Sequence, residues 1–310
     1  MTHDEFTCAL CGCGQHAVLH SQLQDLHLEK PTGFSAQLVQ CSQCGLIAQW
    51  PVPTNEQLAS FYPDEYSPFL ARSAVSKPAR TLFRSRRPDF VTRHVRSGRL
   101  LDVGCSTGSF LLDMQSIGGW SCVGIEPSRS AVQAARARRL DVHEMNMDQL
   151  SAHADLGTFD VITLWDVLEH LRSPVESLQQ LRKMLGAGGL VVIGIPNADS
   201  VEYRAFGRCW SGLEAPRHLF VFSKRTIAAV LNAAGFDVLT ISNGPGLYLT
   251  FVNTVLFRLR AAGVAHSTTQ RIGALLRGKL LRLCAEPFFR LTSVGVRGSK
   301  MVVAARARSV

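Results

Sequence analysis

The chain has 310 residues, 46% of them hydrophobic and 18% charged. That is the make-up of a folded globular protein, long enough for a full α/β domain and a smaller module, and it excludes a disordered or collagen-like chain. The net charge of +9 is unevenly placed: residues 77–99 hold eight Lys/Arg against Asp89, residues 247–298 hold eight against Glu286, and the remainder sums to −5. A basic balance of this kind points to phosphate, nucleic acid or an anionic membrane met through two appended segments, unless these are simply solvated faces. No run of about 18 consecutive apolar residues occurs, so no transmembrane helix is expected. The opening MTHDEFTCAL carries acids and lacks the apolar core of a secretory signal. A cytoplasmic address with reduced thiols is therefore expected, and the nine cysteines read as metal ligands or packing residues.

Two C-x-x-C-G units come first, Cys8-Ala-Leu-Cys11-Gly and Cys41-Ser-Gln-Cys44-Gly. Each is a tight turn that aims two thiolates at one point, with glycine permitting the backbone twist, and two such turns complete a tetrahedral four-sulfur site suited to Zn²⁺. The 29 intervening residues contain segments able to form short strands, so residues 1–50 read as a zinc-ribbon module with Cys8, Cys11, Cys41 and Cys44 as ligands. Cys13 is a spare that could stand in for Cys11. Four thiolates leave no open position, so the metal reads as structural, supplying folding energy to a module with little core of its own.

Residues 51–98 read as a linker and basic segment. Prolines 51, 53, 63 and 68 break it up, one short helix is predicted at about 54–61, and Phe61-Tyr-Pro-Asp-Glu-Tyr66 follows. Ala79 to Val95 has helical composition, with Pro88 expected to kink or restart it.

Arg99-Leu-Leu-Asp-Val-Gly-Cys is a buried-strand pattern running into Gly104-Cys-Ser-Thr-Gly108. A helix is predicted next, with Phe110, Leu111, Met114 and Ile117 on one face and Gly118-Gly119 ending it. The second strand, Cys122-Val-Gly-Ile-Glu126, places an acid 18 positions beyond Gly108. Strand, glycine turn, helix, strand and acid make a nucleotide-binding βαβ unit, in which the acid accepts hydrogen bonds from ribose hydroxyls. A nicotinamide site would want G-x-G-x-x-G, and Asp102 just ahead of the loop disfavours a pyrophosphate and favours a cationic ligand. The loop also matches the G-x-S-x-G nucleophile elbow, but that elbow usually follows several strands, and here it ends the first strand of the domain.

Leu101-Asp-Val-Gly-Cys-Ser-Thr-Gly108 resembles the first motif of the seven-strand, Rossmann-like S-adenosylmethionine-dependent methyltransferases. Phe159-Asp-Val-Ile-Thr-Leu-Trp-Asp-Val-Leu-Glu-His170 is similar to their fourth strand and following loop, and Leu185 to Asn197 to their fifth strand. Arg217-His-Leu-Phe-Val-Phe-Ser223, with a helix ending at Ala234-Gly-Phe236, resembles their substrate-side loop and last helix. The cysteine pairs with the Tyr-Pro segment resemble a bacterial subgroup carrying an N-terminal zinc-binding module, a group that includes sugar C-methyltransferases and proteins of polysaccharide synthesis. The resemblance implies an α/β, doubly wound seven-strand methyltransferase domain over 99–246 plus 299–310. Strands are expected near 99–105, 121–126, 141–145, 159–165, 189–195, 236–242 and 299–307. Ser173, Pro174 and Glu176 supply capping signals for the helix ending at Gly186, and Ser223 and Gly235 bracket the next one.

The resemblance also implies site roles. Gly104, Cys105, Ser106 and Gly108 form the loop under S-adenosylmethionine, Asp102 holds the methionine ammonium directly or through water, and Glu126 binds the ribose. Asn146 stands where the family usually has an Asp reading the adenine amino group, with Met147 placed to pack on the ring. Leu164, Trp165 and Asp166 end the fourth strand beside the methionine moiety, although Trp165 reads equally as core. A hydroxyl or carbon acceptor needs a base, for which His218 and His170 are the catalytic candidates, each with a structural reading beside it. Glu169 reads as a local cap or packing residue.

About 55 residues separate Asn243 from Ser299, where this fold usually has a hairpin. Leu247 to Arg260 and Ile272 to Leu283 read as basic amphipathic helices, making 247–298 a helical insertion before the last strand. It suits peripheral contact with an anionic membrane at the inner face, or a cover for the active site or a dimer face. The expected acceptor is a small molecule: a sugar, glycan precursor or lipid-linked intermediate. The alternative is RNA, because a zinc module on this fold also occurs among rRNA methyltransferases. Against it, Asp166-Val-Leu-Glu follows the fourth strand where a base-methylating N-P-P-Y motif would stand. A scaffold that binds the cofactor without turnover is the non-enzymatic reading.

Overall fold

Two sheets organise the chain. The computed structural model describes residues 5–23, 26, 34–61, 86–150, 156–244, 247–292 and 295–308. The small sheet begins as an antiparallel meander of β1 (His16–Leu23), β2 (Ala36–Cys41) and β3 (Ile47–Trp50). Its fourth strand, β9 (Phe220–Val221), comes from far along the chain and pairs antiparallel with β3, Ala48 opposite Phe220.

The large sheet contains β4 (Gly98–Val103), β5 (Trp120–Glu126), β6 (Asp141–Glu144), β7 (Phe159–Trp165), β8 (Leu185–Pro196), β10 (Phe236–Asn243) and β11 (Lys300–Ala307), in the order β10-β11-β8-β7-β4-β5-β6. β4 lies parallel between β5 and β7, and β11 runs antiparallel to both β8 and β10. The chain steps outward from β4 to β6 and returns to β7 on the other side, so the strand order reverses at β4. In a doubly wound sheet that reversal opens a crevice beyond the carboxyl ends of the strands, where ligands bind.

The inner strands of this sheet are buried on both faces, which is why they read as near-continuous apolar runs, whereas the edge strands β6 and β10 are partly exposed. Leu101, Val103, Ile162, Leu164, Val191 and Ile193 face α5 (Pro174–Lys183) and α7 (Lys224–Ala233) through Leu178, Leu181, Ile227 and Leu231. Leu100, Val161 and Val192 face α3 (Ser109–Ile117) and α4 (Arg129–Arg136) through Phe110, Leu111, Met114, Val132 and Ala135. The small sheet adds Phe6, Cys8, Val39, Leu46 and Ala48 to the first of these cores, beside Leu219 and Phe220.

Most expected elements are present, with instructive departures. Ile117 is 40% exposed, because α3 turns it off the buried stripe in its last turn. Ser173 precedes α5 without a side-chain cap, whereas Ser223 and Thr226 form a full capping box on α7. β8 starts at Leu185, not 189, since Leu185 pairs with Phe159 before the register shifts. The short helix α1 spans Asn55–Ser60. In the basic segment α2 covers Arg87–Thr92 with Pro88 in its first turn, while 79–85 and Tyr62 to Tyr66, and with them the expected helix ahead of Pro88, lie outside the described residues. A further short helix, α6, covers Val201–Phe206.

The insertion forms three helices, α8 (Leu247–Ala261), α9 (His266–Leu276) and α10 (Lys279–Thr292). The single helix expected over 272–283 is broken at Arg277-Gly278. Leu256 and Phe257, candidates for a membrane face, are buried at 3% and 5% exposure, Leu256 beside Tyr248 and Val252 in the insertion's own core. Leu275, Leu280 and Phe288 remain exposed.

Candidate cofactor cleft and acceptor side

The glycine loop follows β4. Gly104, Ser106 and Gly108 take φ of 69°, 51° and 77°, a left-handed run that brings the backbone round at the sheet's carboxyl edge. A Cβ on Gly108 would stand 2.2 Å from Leu140 Cδ1, and one on Gly104 would stand 2.6 Å from Val167 Cγ2. The loop thus lies tight against β7's exit turn on one side and α4's end on the other. The Gly104 and Cys105 amides donate to the Ile125 carbonyl (2.8 and 3.1 Å), tying the loop to β5.

Glu126, at the end of β5, is 4% exposed and accepts from the Ser106 and Ser128 amides, each at 2.9 Å. Its carboxylate is therefore fixed in direction by these two amides. Asp102, 2% exposed, accepts from Thr163 Oγ1 at 2.6 Å. Ser106 Oγ and Thr107 Oγ1 are buried without a hydrogen-bond partner among the described residues. Among the described residues no imidazole reaches Ser106, so nothing in them supports the nucleophile-elbow reading. The Cys105 side chain turns onto Gly124 of β5, where burial beside Asp102 and Glu126 pushes its thiol up. An acid-flanked, backbone-rich cradle with two orphan hydroxyls fits a cationic nucleoside ligand.

Asn146 is exposed, and its side-chain carbonyl accepts from the Gln149 amide (3.0 Å) while Gln149 Oε1 accepts from the Asn146 amide (2.9 Å). Met147 and Leu164 are core residues. Trp165 packs in the other core, against Phe110 and Phe90 (centroids 5.4 and 6.4 Å), with Arg87 over its ring at 5.1 Å. Asp166 takes φ 60° and pairs with Lys300 (2.6 Å) and Arg87 (3.1 Å), so a residue of the basic segment and one of the last strand meet at the mouth of β7.

The turn after β7 carries Glu169 and His170, and the loop before β9 carries Glu214, Arg217 and His218. The structure brings them together. The two imidazoles lie edge to face at 4.6 Å, His170 Nδ1 is 3.0 Å from the Arg217 carbonyl and His218 Nδ1 is 2.8 Å from the Gly212 carbonyl. A carbonyl only accepts, so each Nδ1 carries the proton and each lone pair lies on Nε2. Desolvation lowers both, His170 to about 4 with the help of neighbouring His218, so both are neutral. Arg217 is fully buried, donating to Glu214 Oε1 (3.3 Å) and the Phe61 carbonyl (3.2 Å). Burial and the nearby Asp166 push Glu169 well above the usual carboxylate range. Sequence reasoning missed the burial of Glu169 and Arg217, since nothing local in Leu-Glu-His or Pro-Arg-His signals it.

In the small module, Cys8 and Cys44 Sγ lie 3.4 Å apart and Cys11 and Cys41 Sγ 3.6 Å, and all four sulfurs lie within 4.8 Å of one another. Tetrahedral Zn–S bonds of about 2.3 Å place sulfurs about 3.8 Å apart, so the donor set and spacing fit. Cys13 stays outside, its sulfur accepting from the Gln15 amide at 3.4 Å.

Residues 75–241 match a family model described as a methyltransferase domain, and the chain belongs to that family. Over 111 residues, 34% of this chain, it is 29% identical to a ubiquinone biosynthesis O-methyltransferase of Alkalilimnicola ehrlichii, covering 44% of that protein. Over 107 residues, 32% of this chain, it is 35% identical to a tRNA U34 carboxymethyltransferase of Aliivibrio salmonicida, covering 32% of that protein. The chain thus spans less than half the length of these two relatives. Among solved structures, the [4+2]-cyclase SpnF matches with a TM-score of 0.53 at 21% identity, over 84% of this chain and 99% of that one. The fold is that of the Rossmann-like methyltransferases: a mixed seven-strand sheet with one antiparallel strand pairing β8 and β10.

Proposed function

We propose that the chain is an S-adenosylmethionine-dependent methyltransferase acting on a small molecule: a sugar, glycan precursor or lipid-linked intermediate. The observation that carries the reading is Glu126, buried and held by two backbone amides directly opposite a left-handed glycine loop. When bound, the cofactor supplies a sulfonium-activated methyl group. Glu126 takes the ribose hydroxyls, the Gly104–Gly108 backbone lies beneath the ligand, and Asp102, held by Thr163, offers charge to the ammonium. Asn146 has its carbonyl engaged with Gln149, which leaves its amide group and the apolar Met147 for the adenine side. Leu164 and Trp165 act from behind the site by filling the core, and Asp166 holds its mouth through Arg87 and Lys300. His218 and His170 are the groups for an acceptor's proton, with lone pairs fixed on Nε2 by the carbonyls behind them.

The four cysteines hold one structural Zn²⁺ in this reading. The exposed Leu275, Leu280 and Phe288, with Arg271 and Arg282 nearby in sequence, support peripheral contact with an anionic membrane surface by an otherwise cytoplasmic protein. RNA is the second reading, favoured by the net charge of +9 and by the tRNA-acting relative. A fold shared with a protein named as a cyclase does not by itself decide the reaction. The deciding experiment is incubation with methyl-labelled S-adenosylmethionine and, in parallel, lipid-linked glycan extracts and transcribed tRNA. Label in the glycan fraction supports the proposal. Label in tRNA alone replaces it, and tight cofactor binding with label in neither leaves a binding scaffold.

A further inference from the structure

The histidines of the acceptor side stand against a carboxylate that methyl transfer does not use. Glu169 is fully buried, and neither of its oxygens has a hydrogen-bond partner among the described residues. Natural proteins rarely leave a buried carboxylate in that condition. His218 Nε2 lies 4.0 Å from Glu169 Oε1 and 3.7 Å from Glu214 Oε2, too far for hydrogen bonds. With its proton on Nδ1, His218 therefore turns a lone pair toward two carboxylates. Electron-pair donors converging on one space repel each other unless a proton on one of them or a cation between them relieves it.

Among the described residues, the nearby cations have other partners. Arg217 donates to Glu214 and the Phe61 carbonyl, and Arg87 and Lys300 pair with Asp166. One ligand atom from each of Glu169, His170 and His218 lies within 4.8 Å of the other two. Both rings are oriented by a backbone carbonyl behind Nδ1, the arrangement that fixes the tautomer and direction of metal-binding imidazoles.

We propose that Glu169, His170 and His218 bind one divalent first-row transition-metal ion, at a site distinct from the four cysteines. Two imidazole nitrogens and a carboxylate oxygen, without sulfur, suit ions from Mn²⁺ to Zn²⁺. Three protein ligands, the number found among the described residues, leave coordination positions open, and a hydroxyl placed on one of them becomes more acidic. The histidines then act on the acceptor as ligands of the ion and not as bases. That consequence rests on the methyl-transfer reading; ion binding does not.

The test uses the full chain, treated with a mild chelator and titrated with Mn²⁺ alone, with no cofactor or acceptor present. Mn²⁺ is a poor match for four thiolates, and its free-ion paramagnetic resonance signal falls as it binds. About one Mn²⁺ per chain is expected, and Glu169→Gln and His218→Gln should each weaken binding at least about tenfold, with zinc content unchanged. Mn²⁺ should raise the melting temperature of the wild type and not of Glu169→Gln. That variant is isosteric, and its S-adenosylmethionine binding reports that it is folded. The proposal is overturned if the wild type binds no Mn²⁺, if Glu169→Gln binds it undiminished, or if Glu169→Gln melts higher than the wild type and neither responds to Mn²⁺. The last result would mark Glu169 as a buried neutral acid. Cofactor binding and methyl transfer, measured on the same samples, fail or hold separately from ion binding.

Discussion

Replacing Glu126 by Ala removes the carboxylate that two amides hold at 2.9 Å each. Two effects follow, and they are separable. In the free protein the Ser106 and Ser128 N–H groups lose their acceptor, and an unsatisfied buried donor costs about 1–3 kcal/mol. Ser106 lies in the buried loop and Ser128 only partly buried at the start of α4, so about 2 kcal/mol of stability should be lost in total. In the proposed complex, two charge-assisted bonds to ribose would disappear, each about 1.5–3 kcal/mol. Water entering the shortened side chain's space returns part of this, so the net loss of affinity should be about 1.5–3 kcal/mol, roughly ten- to 150-fold. Calorimetry with S-adenosylmethionine measures the second effect and denaturant unfolding without ligand the first. Glu126→Gln should fall between wild type and Ala, since its carbonyl serves one amide while its NH₂ confronts the other. Lowered stability with unchanged affinity would refute the argument, leaving Glu126 as a tie for the loop and nothing more.

Gly108→Ala should abolish measurable cofactor binding and lower the melting temperature, because an L residue at φ 77° is strained by about 1–2 kcal/mol and its Cβ meets Leu140; an unperturbed variant in calorimetry would contradict the loop geometry. Elemental analysis should find about one Zn²⁺ per chain at the cysteines, and Cys41→Ala should lose it and melt earlier while cofactor binding stays measurable; metal-free wild-type protein would sink the zinc reading. The full chain should sediment with anionic vesicles, less so as salt rises, and Leu280→Glu with Phe288→Glu should weaken this; equal sedimentation with neutral vesicles would reject the electrostatic part.

Much of the catalytic fold was legible because its signals are local. A strand buried on both faces reads as an apolar run, a positive φ asks for glycine at 104 and 108, and paired C-x-x-C-G turns announce their own convergence. What escaped is set by tertiary partners. Leu256 and Leu275 are both apolar residues on basic helices, yet α9 and α10 cover one and leave the other 69% exposed. Ser173 and Ser223 look equally good as caps, but only Ser223 finds its donor. Cys13 differs from Cys11 by two positions, enough to aim its sulfur at the Gln15 amide instead of at the cluster. Glu169 lies one residue from a histidine already singled out, and its burial comes from tertiary contacts such as the loop folded back from Glu214 to His218.

The two-residue strand β9 ties the N-terminal module to the loop that presents His218. The module therefore cannot be exchanged as a cassette between relatives. Ala48 lies opposite Phe220, and Gln49 donates to the Pro216 carbonyl at 3.3 Å, so the grafted piece would have to match its host residue for residue along that seam. Cutting the chain after β3 would be no gentler. It would leave β9 as an unpaired edge with Leu219 and Phe220 stripped of cover, a surface that invites self-association. A catalytic fragment prepared that way should be sticky before it is inactive.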